Sequence, residues 1–243
     1  MDLLELHNLP SRLLGYIRGQ IISGELSGGQ QIHENEFAAR LELSRGPLRE
    51  AFRILEQERL VVNLPRKGTF VTSLSQEDLT EVYQVRRMIE LAALDLLEEK
   101  GVTELPSAAN ALREAEALRI PNDSDREEFL VFREKITDFH ARLVMEAKNT
   151  RLSHYYQTLY FSLARYQYLH IKLNVPEGYE RPTETHHQIL ALISAGRHQD
   201  AKLVLLDHLE RSHQTQEDAL RTYLVSPTGM VEIPRLQAKH TGR

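Results

Sequence analysis

Leu41-Glu42-Leu43-Ser44-Arg45-Gly46-Pro47-Leu48-Arg49-Glu50-Ala51-Phe52-Arg53-Ile54-Leu55-Glu56-Gln57-Glu58-Arg59-Leu60 is the stretch whose reading decides the fold. Ser44 suits a helix N-cap, because its hydroxyl can accept from an otherwise unpaired N–H of the first turn. Pro47 falls in that first turn, where a missing N–H costs nothing. Leu48, Ala51, Phe52 and Leu55 recur at three- and four-residue steps and share one buried stripe. Arg45, Arg49 and Arg53 step by four and form a cationic stripe beside it. Such a helix suits the major groove of DNA, where arginine reads guanine O6 and N7 in bidentate fashion. An ordinary amphipathic helix with a solvated basic face has the same pattern, so the surroundings decide.

Upstream, residues 10–23 read as a first helix. Leu13, Leu14, Ile17, Ile21 and Ile22 keep the helical period, and Gly24 stands at a C-terminal stop. Gly28-Gly29 marks a loop, with Ile32 as a short apolar anchor. Residues 34–41 form a second short helix with Phe37, Ala38 and Leu41 inward. Only Glu42 and Leu43 separate it from Ser44, which makes a helix-turn-helix. Downstream, residues 60–64 read as a strand, Pro65-Arg66-Lys67-Gly68 as a turn and residues 69–72 as the return strand. A basic tip with a glycine can approach the phosphate backbone and enter the minor groove.

This order is that of a winged helix. Phe37-Ala38-x-x-Leu41-x-Leu43-Ser44-Arg45-x-Pro47-Leu48-Arg49-Glu50-Ala51 resembles the signature of the GntR family of bacterial transcription regulators, and Pro65-Arg66-Lys67-Gly68-Thr69-Phe70-Val71 continues the match. The resemblance implies that Arg45 and Arg49 contact operator bases or phosphates. It adds Ser44, Arg66 and Lys67 to the DNA surface and puts Gly68 at the wing tip, near the minor groove. Asn35 occupies a position where the family often has an arginine on the DNA backbone, which weakens one phosphate contact. Gly46 stands where a threonine is common, which removes a hydroxyl contact.

The chain has 243 residues, 41% of them apolar, enough for a sizeable core. It has no cysteine, hence no disulfide framework, which fits a reducing cytoplasm. No signal peptide or membrane span is expected. The formal net charge of −5 permits local basic patches on an acidic body. The expected fold is mainly α: a winged helix-turn-helix over 1–73, an antiparallel all-helical bundle over 74–224, and a loosely held tail over 225–243.

In the bundle, Ser75-Gln76-Glu77-Asp78 has the form of a capping box. Helices are expected over 76–100, stopped by Gly101, then over 103–118, 124–148, 150–173, 182–195 and 198–223. Loops fall at 120–123 and 176–178, Asn149 closes the third of these helices, and the last pair turns at Gly196.

Eleven histidines invite a metal reading. His7, His33, His198, His213 and His240 fall in loops or on polar faces and read as solvated. His140, His186 and His208 sit on apolar helical faces, and antiparallel pairing across Gly196 would bring the last two together. A lone histidine of this kind is ordinarily a core or rim residue. Three on the inward faces of three helices instead form an N₃ site with room for water or a ligand.

Phe139-His140-x-x-Leu143 followed by Asn149, then His186-x-x-Ile189 through Gly196 and Ala201 to His208, resembles the FCD effector domain of the FadR-type GntR subgroup. The resemblance implies a metal held by one aspartate and three histidines, the histidines falling on His140, His186 and His208. Ile136 takes the place of the aspartate, one turn before His140. Asp138 lies about 200° around the helix from His140 and cannot easily substitute. Two outcomes stand open. One is a three-histidine site for one divalent zinc, nickel or manganese per chain, its shell completed by solvent or an effector carboxylate. The other is a metal-free pocket. His187 points about 100° away from His186 and reads as exposed or on a pocket rim.

Arg86 lies in Val85-Arg86-Arg87-Met88-Ile89-Glu90, similar to the family's first bundle helix, where the arginine commonly faces the ligand cavity. The resemblance implies a bidentate clamp on a small carboxylate. An intrahelical pair with Glu90 at i,i+4 is the competing reading. Tyr160 and Arg165 are candidates for a polar ligand pocket, among tyrosines that also suit bundle core or dimer surface.

The function expected is a cytoplasmic, homodimeric regulator that reads a near-palindromic double-stranded operator. A small-molecule effector, at family level a carboxylate, would change operator affinity from within the bundle. Fatty acyl ligands fit if Ile136 signals a metal-free, more apolar cavity. The alternative is a metal-dependent hydrolase-like enzyme using the three histidines, although no His-Glu-x-x-His spacing accompanies them. A scaffold whose basic head binds protein is a third reading.

Overall fold

The computed structural model describes residues 3–40, 44–117, 138–174 and 183–225; the side chains of 3–11, 40, 45, 171 and 174 lie outside that description. The N-terminal unit ends at Leu74 and a helical unit spans Ser75–Thr222.

The first unit runs α1 (Leu3–Ile22), β1 (Gln31–Ile32), α2 (Glu34–Arg40), α3 (Arg45–Gln57), β2 (Val61–Leu64) and β3 (Gly68–Val71). Helix α1 starts at Leu3 rather than Pro10. Proline removes one i→i−4 bond, but Leu3-Leu4-Glu5-Leu6 ahead of it are strong helix formers, and the helix carries through. The α3 stripe Leu48, Ala51, Phe52 and Leu55 is buried with Ile17 and Ile21 of α1. Phe37 of α2 meets Phe52 edge-on, with ring centroids 6.4 Å apart. Arg18 Nε donates to Glu58 Oε2 over 2.9 Å and fastens α1 to the end of α3.

The sheet order is β1-β3-β2, both pairings antiparallel. The wing hairpin pairs Asn63 with Thr69 and Leu64 with Gly68. Ile32, expected only as an anchor, is the second residue of a two-residue strand too short to show alternation in sequence; it pairs with Thr69 and is buried.

The second unit continues with α4 (Gln76–Glu99), α5 (Pro106–Ala117), α6 (138–146), α7 (Thr150–Asn174), α8 (Thr183–Ser194) and α9 (His198–Leu224). The Ser75 hydroxyl accepts from Asp78 N at 3.1 Å, the cap its sequence predicts. Tyr166 of α7 donates its hydroxyl proton to Asp78 Oδ2 over 2.8 Å, which seals the same end of α4. Asn149 does not close α6. Its Oδ1 accepts from Arg151 N at 3.1 Å and Leu152 N at 3.2 Å, so it opens α7. The left-handed turn that ends α6 falls on Lys148, at φ 51°. Gly196, at φ 71°, reverses the chain between α8 and α9, with Arg197 N bonded to Leu192 O over 2.8 Å. The loops expected at 120–123 and 176–178, the start at Ser124, Ile136, and positions 226–243 of the expected tail lie outside the described residues. No helix among the described residues is long and apolar enough to cross a membrane.

Candidate functional sites

The first site is the outer face of α3 and the wing. Ser44 takes the N-cap position of α3 in extended geometry, but its side chain makes no cap bond, contrary to the expectation. The hydroxyl is exposed instead. Arg49 is 69% exposed and stands 3.6 Å from Glu34 Oε2 of α2. Arg53 makes two bonds to Glu50, at 2.7 and 3.1 Å, along its own helix. Gly46 is open, with nothing within 4 Å of where a Cβ would stand, so that position would accept a threonine. Asn35 is exposed on α2. The backbone of Arg45 opens α3, while its side chain lies outside the described residues.

Arg66 and Lys67 are exposed at the hairpin tip. Lys67 N closes the turn onto Leu64 O over 2.9 Å, with Arg66 at φ 65°. Gly68 is at φ 101°, and a Cβ there would come 3.0 Å from Gln31 Nε2. That amide donates to Lys67 O over 2.7 Å and bolts β1 to the wing tip. A side chain at 68 would crowd that amide and be strained at this φ.

The second site is buried in the bundle. The Nε2 atoms of His140 (α6), His186 (α8) and His208 (α9) form a triangle with sides of 3.1, 3.3 and 3.2 Å. Two imidazole nitrogens on one zinc at about 2.0–2.1 Å stand roughly 2.9–3.4 Å apart between right-angled and tetrahedral arrangements. The triangle therefore fits a divalent ion capped by three neutral imidazoles. Phe139 stacks on His186 at 4.3 Å from outside the triangle, and within it His140 stacks on His208 at 5.1 Å.

Glu90 holds the ring of His140. His140 Nδ1 donates to Glu90 Oε2 over 2.8 Å, which leaves the Nε2 lone pair facing the triangle. Arg86 Nε and the Tyr156 hydroxyl both donate to Glu90 Oε1, at 2.7 and 3.0 Å. Arg86 and Glu90 are both essentially unexposed. Burial pushes the Glu90 carboxyl up, but His140 and Arg86 outweigh it and hold it well below the usual range. Burial alone would lower Arg86, and the attraction of Glu90 raises it instead. Burial keeps all three histidines below their ordinary value, His186 and His208 well below. His140 is thus neutral near pH 7, and Arg86 is the charge that sustains the Glu90 carboxylate there.

Asp138 does not join the triangle. It pairs with Arg142 at 3.3 Å and accepts from Tyr160 at 3.4 Å. Arg165 is buried on the same helix as Tyr160. His187 is exposed and meets Glu116 Oε1 at 2.7 Å, as its angular offset from His186 predicts. His33 is exposed. Two of the histidines read as solvated are not. His198 is buried and donates to Val102 O over 2.7 Å, and His213 stacks on Tyr83 at 4.7 Å. The side chains of His7 and His240 lie outside the described residues.

Comparison with known proteins adds two family matches. Residues 10–71 match the family described as bacterial regulatory proteins, gntR family. Residues 81–211, more than half the chain, match the FCD domain. The chain belongs to the GntR family and carries an FCD domain. It is 32% identical over 137 residues to the HTH-type transcriptional regulator YdhC of Bacillus subtilis, covering 56% of this chain and 59% of that one. It is 29% identical over 164 residues to the gluconate operon transcriptional repressor of Bacillus licheniformis, covering 68% of this chain and 65% of that one. The matches thus span less than two thirds of either relative. The crystal structure of a GntR transcriptional regulator from Rhodococcus sp. RHA1 shares the fold, with a TM-score of 0.68, 24% identity, and coverage of 87% of this chain and 99% of that one.

The carboxylate behind His140 was missed by reading the histidines alone. Its signal lies in this GntR-family chain's own α4: Leu79, Val82, Tyr83, Arg86, Ile89, Glu90 and Ala93 form one buried stripe. Two opposite charges in such a stripe have to be paired inside the core.

Proposed function

We propose that the protein is a DNA-binding transcription regulator whose affinity for its operator is set by a small carboxylate effector bound in the FCD bundle, beside a divalent metal. Arg45 and Arg49, with Ser44, Asn35 and Gly46 around them, form the reading surface, and Arg66, Lys67 and Gly68 form the wing contact. His140, His186 and His208 hold the ion, which is zinc, nickel or manganese. When bound, the ion supplies a Lewis-acidic position for an effector carboxylate. Arg86 supplies positive charge behind it, with Tyr160 and Arg165 as further lining residues. Its place of action is the cytoplasm.

One observation carries this reading: an exposed arginine on a winged-helix reading helix shares a chain with a sealed triangle of neutral imidazoles. A hydrolase-like role has no support beside it. Glu90 is committed to the far side of the His140 ring and Asp138 to Arg142, so neither serves as a base at the Nε2 face. The relatives carry regulator names.

The working form is a homodimer that presents two heads to two half-sites. Val85 and Met88, one turn apart on α4, are exposed apolar side chains that suit such an interface. The effector must bind the DNA-competent and incompetent dimers unequally. A coupling of about 1–3 kcal/mol changes operator affinity roughly 5- to 150-fold. The test is a mobility-shift titration on DNA upstream of the chain's own gene, at two salt concentrations. A dimer that neutralises about 6–10 phosphates loses roughly 10³–10⁵ in affinity between about 50 and 200 mM salt. A flat salt response would refute DNA binding.

A further inference from the structure

Carboxylates stand among the arginines of the reading head, and they are not held alike. A cleft between α2, α3 and the wing is lined by Glu34, Arg49, Arg53, Glu56 and Asn63. Glu50, on the exposed face of α3, holds Arg53 through two bonds. Glu56 Oε1 accepts from Asn63 N at 3.0 Å and joins α3 to the wing. The Glu34 carboxylate accepts no hydrogen bond among the described residues, and Arg49 Nε stands 3.6 Å from it. Glu34 and Glu36 both lie in the first turn of α2, where either suits the helix dipole. Glu36 is exposed, whereas Glu34 turns into the cleft against Arg49. The dipole therefore does not account for the direction Glu34 takes.

We propose that Glu34 is a second base-reading residue, which accepts from N4 of a cytosine one base-pair step from the guanine that Arg49 reads. This rests on the DNA-reading face given above. An ionised carboxylate only accepts hydrogen bonds. In the major groove cytosine presents a donor, N4, and no acceptor. Guanine presents N7 and O6, and thymine O4, all acceptors that repel a carboxylate. Adenine presents the donor N6 beside the acceptor N7, which suits an amide better.

The spacing suits neighbouring bases. Arg49 Nε and Glu34 Oε2 stand 3.6 Å apart, close to the rise of about 3.4 Å from one base pair to the next. The same carboxylate has a cost. It repels phosphates on every sequence, and only a donor such as cytosine N4 offsets that repulsion. Glu34 therefore lowers affinity for unrelated DNA while it selects one base in the operator.

The test is selection by the full chain from a random duplex library, followed by binding to single-base variants of the selected operator. The parent is compared with Glu34→Gln, Glu34→Ala and Arg49→Ala. The parent is expected to require a cytosine beside the guanine that Arg49→Ala ceases to require, any other base there costing about ten-fold. Glu34→Gln should exchange that preference for adenine, since a carboxamide matches N6 and N7. Glu34→Ala should accept all four bases there within about three-fold and bind unrelated DNA more tightly than the parent. Preferences at the other positions should stay as they are. Melting temperatures verify that the variants fold, and the isosteric Glu34→Gln decides if alanine disturbs α2.

Parent-like base preferences in both Glu34 variants would overturn the proposal and leave Glu34 to the α2 dipole alone. A change confined to the guanine of Arg49 would overturn it too, and would make Glu34 a residue that positions that arginine. A parent that selects no sequence refutes the DNA-reading face and this proposal with it. A selected operator without cytosine dependence refutes the Glu34 contact alone.

Discussion

His140 Nδ1 and Arg86 Nε converge on the two oxygens of one buried carboxylate, Glu90, at 2.8 and 2.7 Å. The carboxylate fixes the tautomer of a metal-facing imidazole with one oxygen and neutralises a buried guanidinium with the other. Glu90→Gln retains the shape and removes the charge. Removing one partner of a buried ion pair costs about 3–5 kcal/mol, because the other charge stays behind. Losing the partner behind a ligating histidine costs roughly 10- to 100-fold in metal affinity. Urea denaturation reads the first effect and chelator competition the second. Parent-like values in both would show that Glu90 is a passive core residue.

The triangle itself is tested by metal content. After exhaustive dialysis the parent is expected to retain about one divalent ion per chain, and His208→Ala none. Added ion should raise the melting temperature of the stripped parent and leave the variant unmoved, since a ligand that binds only the folded state stabilises it by mass action. A parent that stays metal-free after reloading would mean that three nitrogens without the aspartate expected at 136 do not suffice.

Acid should unfold the metal-free protein early. Burial first, then mutual repulsion and Arg86, keep His186 and His208 well below the ordinary 6.5, and burial keeps His140 below it. Below about pH 6.5 the unfolded chain therefore binds more protons than the folded one, and stability falls with pH. The contribution of the neutral rings is complete above the unfolded value and is lost as the pH descends through the folded values. The urea midpoint of the stripped protein should drop between pH 7.5 and 5.5. A variant with all three histidines replaced by glutamine should show a smaller drop. Identical pH profiles would refute the linkage.

The winged head was legible because its signals are local. A serine at the helix start, a proline in the first turn and a basic hairpin are each signals over a few residues, and α3 with β2 and β3 lie where they point, although the Ser44 hydroxyl makes no cap bond. The three histidines were legible by periodicity, since His186 and His208 face each other across a glycine turn. Other features depend on contacts between distant segments. Gln31 is recruited into β1 by the wing. His198 is buried by a carbonyl nearly a hundred residues away in sequence, at Val102. The cost of an unpaired charge joins Glu90 to His140 across two helices, and no single-helix pattern displays that partner.

Asn149 offers a test of a correction. It caps α7 with bonds to two backbone N–H groups. Asn149→Ala removes both and should cost about 0.5–2 kcal/mol of stability. Asn149→Asp should retain most of it, as a carboxylate also suits a helix N-terminus. Equal losses in both variants would argue that the amide serves another purpose.

Arg49 decides the reading head. It is the described arginine of the α3 stripe with no close hydrogen bond: its carboxylate neighbour Glu34 stands at 3.6 Å, whereas Arg53 is doubly bonded to Glu50. Arg49 can swing onto DNA without first breaking a tight pair, and Arg53 cannot. Arg49→Ala should therefore weaken operator binding by about ten-fold or more, with parent-like melting because the side chain is 69% exposed and its pairing with Glu34 is loose. Arg53→Ala should have the smaller effect. Salt titration separates the two ways Arg49 could act. A phosphate contact lowers the slope of log K against log salt by about 1. A bidentate guanine contact leaves the slope nearly intact and relaxes discrimination at one base pair. Unchanged affinity, slope and sequence preference would remove Arg49 from the DNA surface and leave the wing to be tested through Arg66 and Lys67.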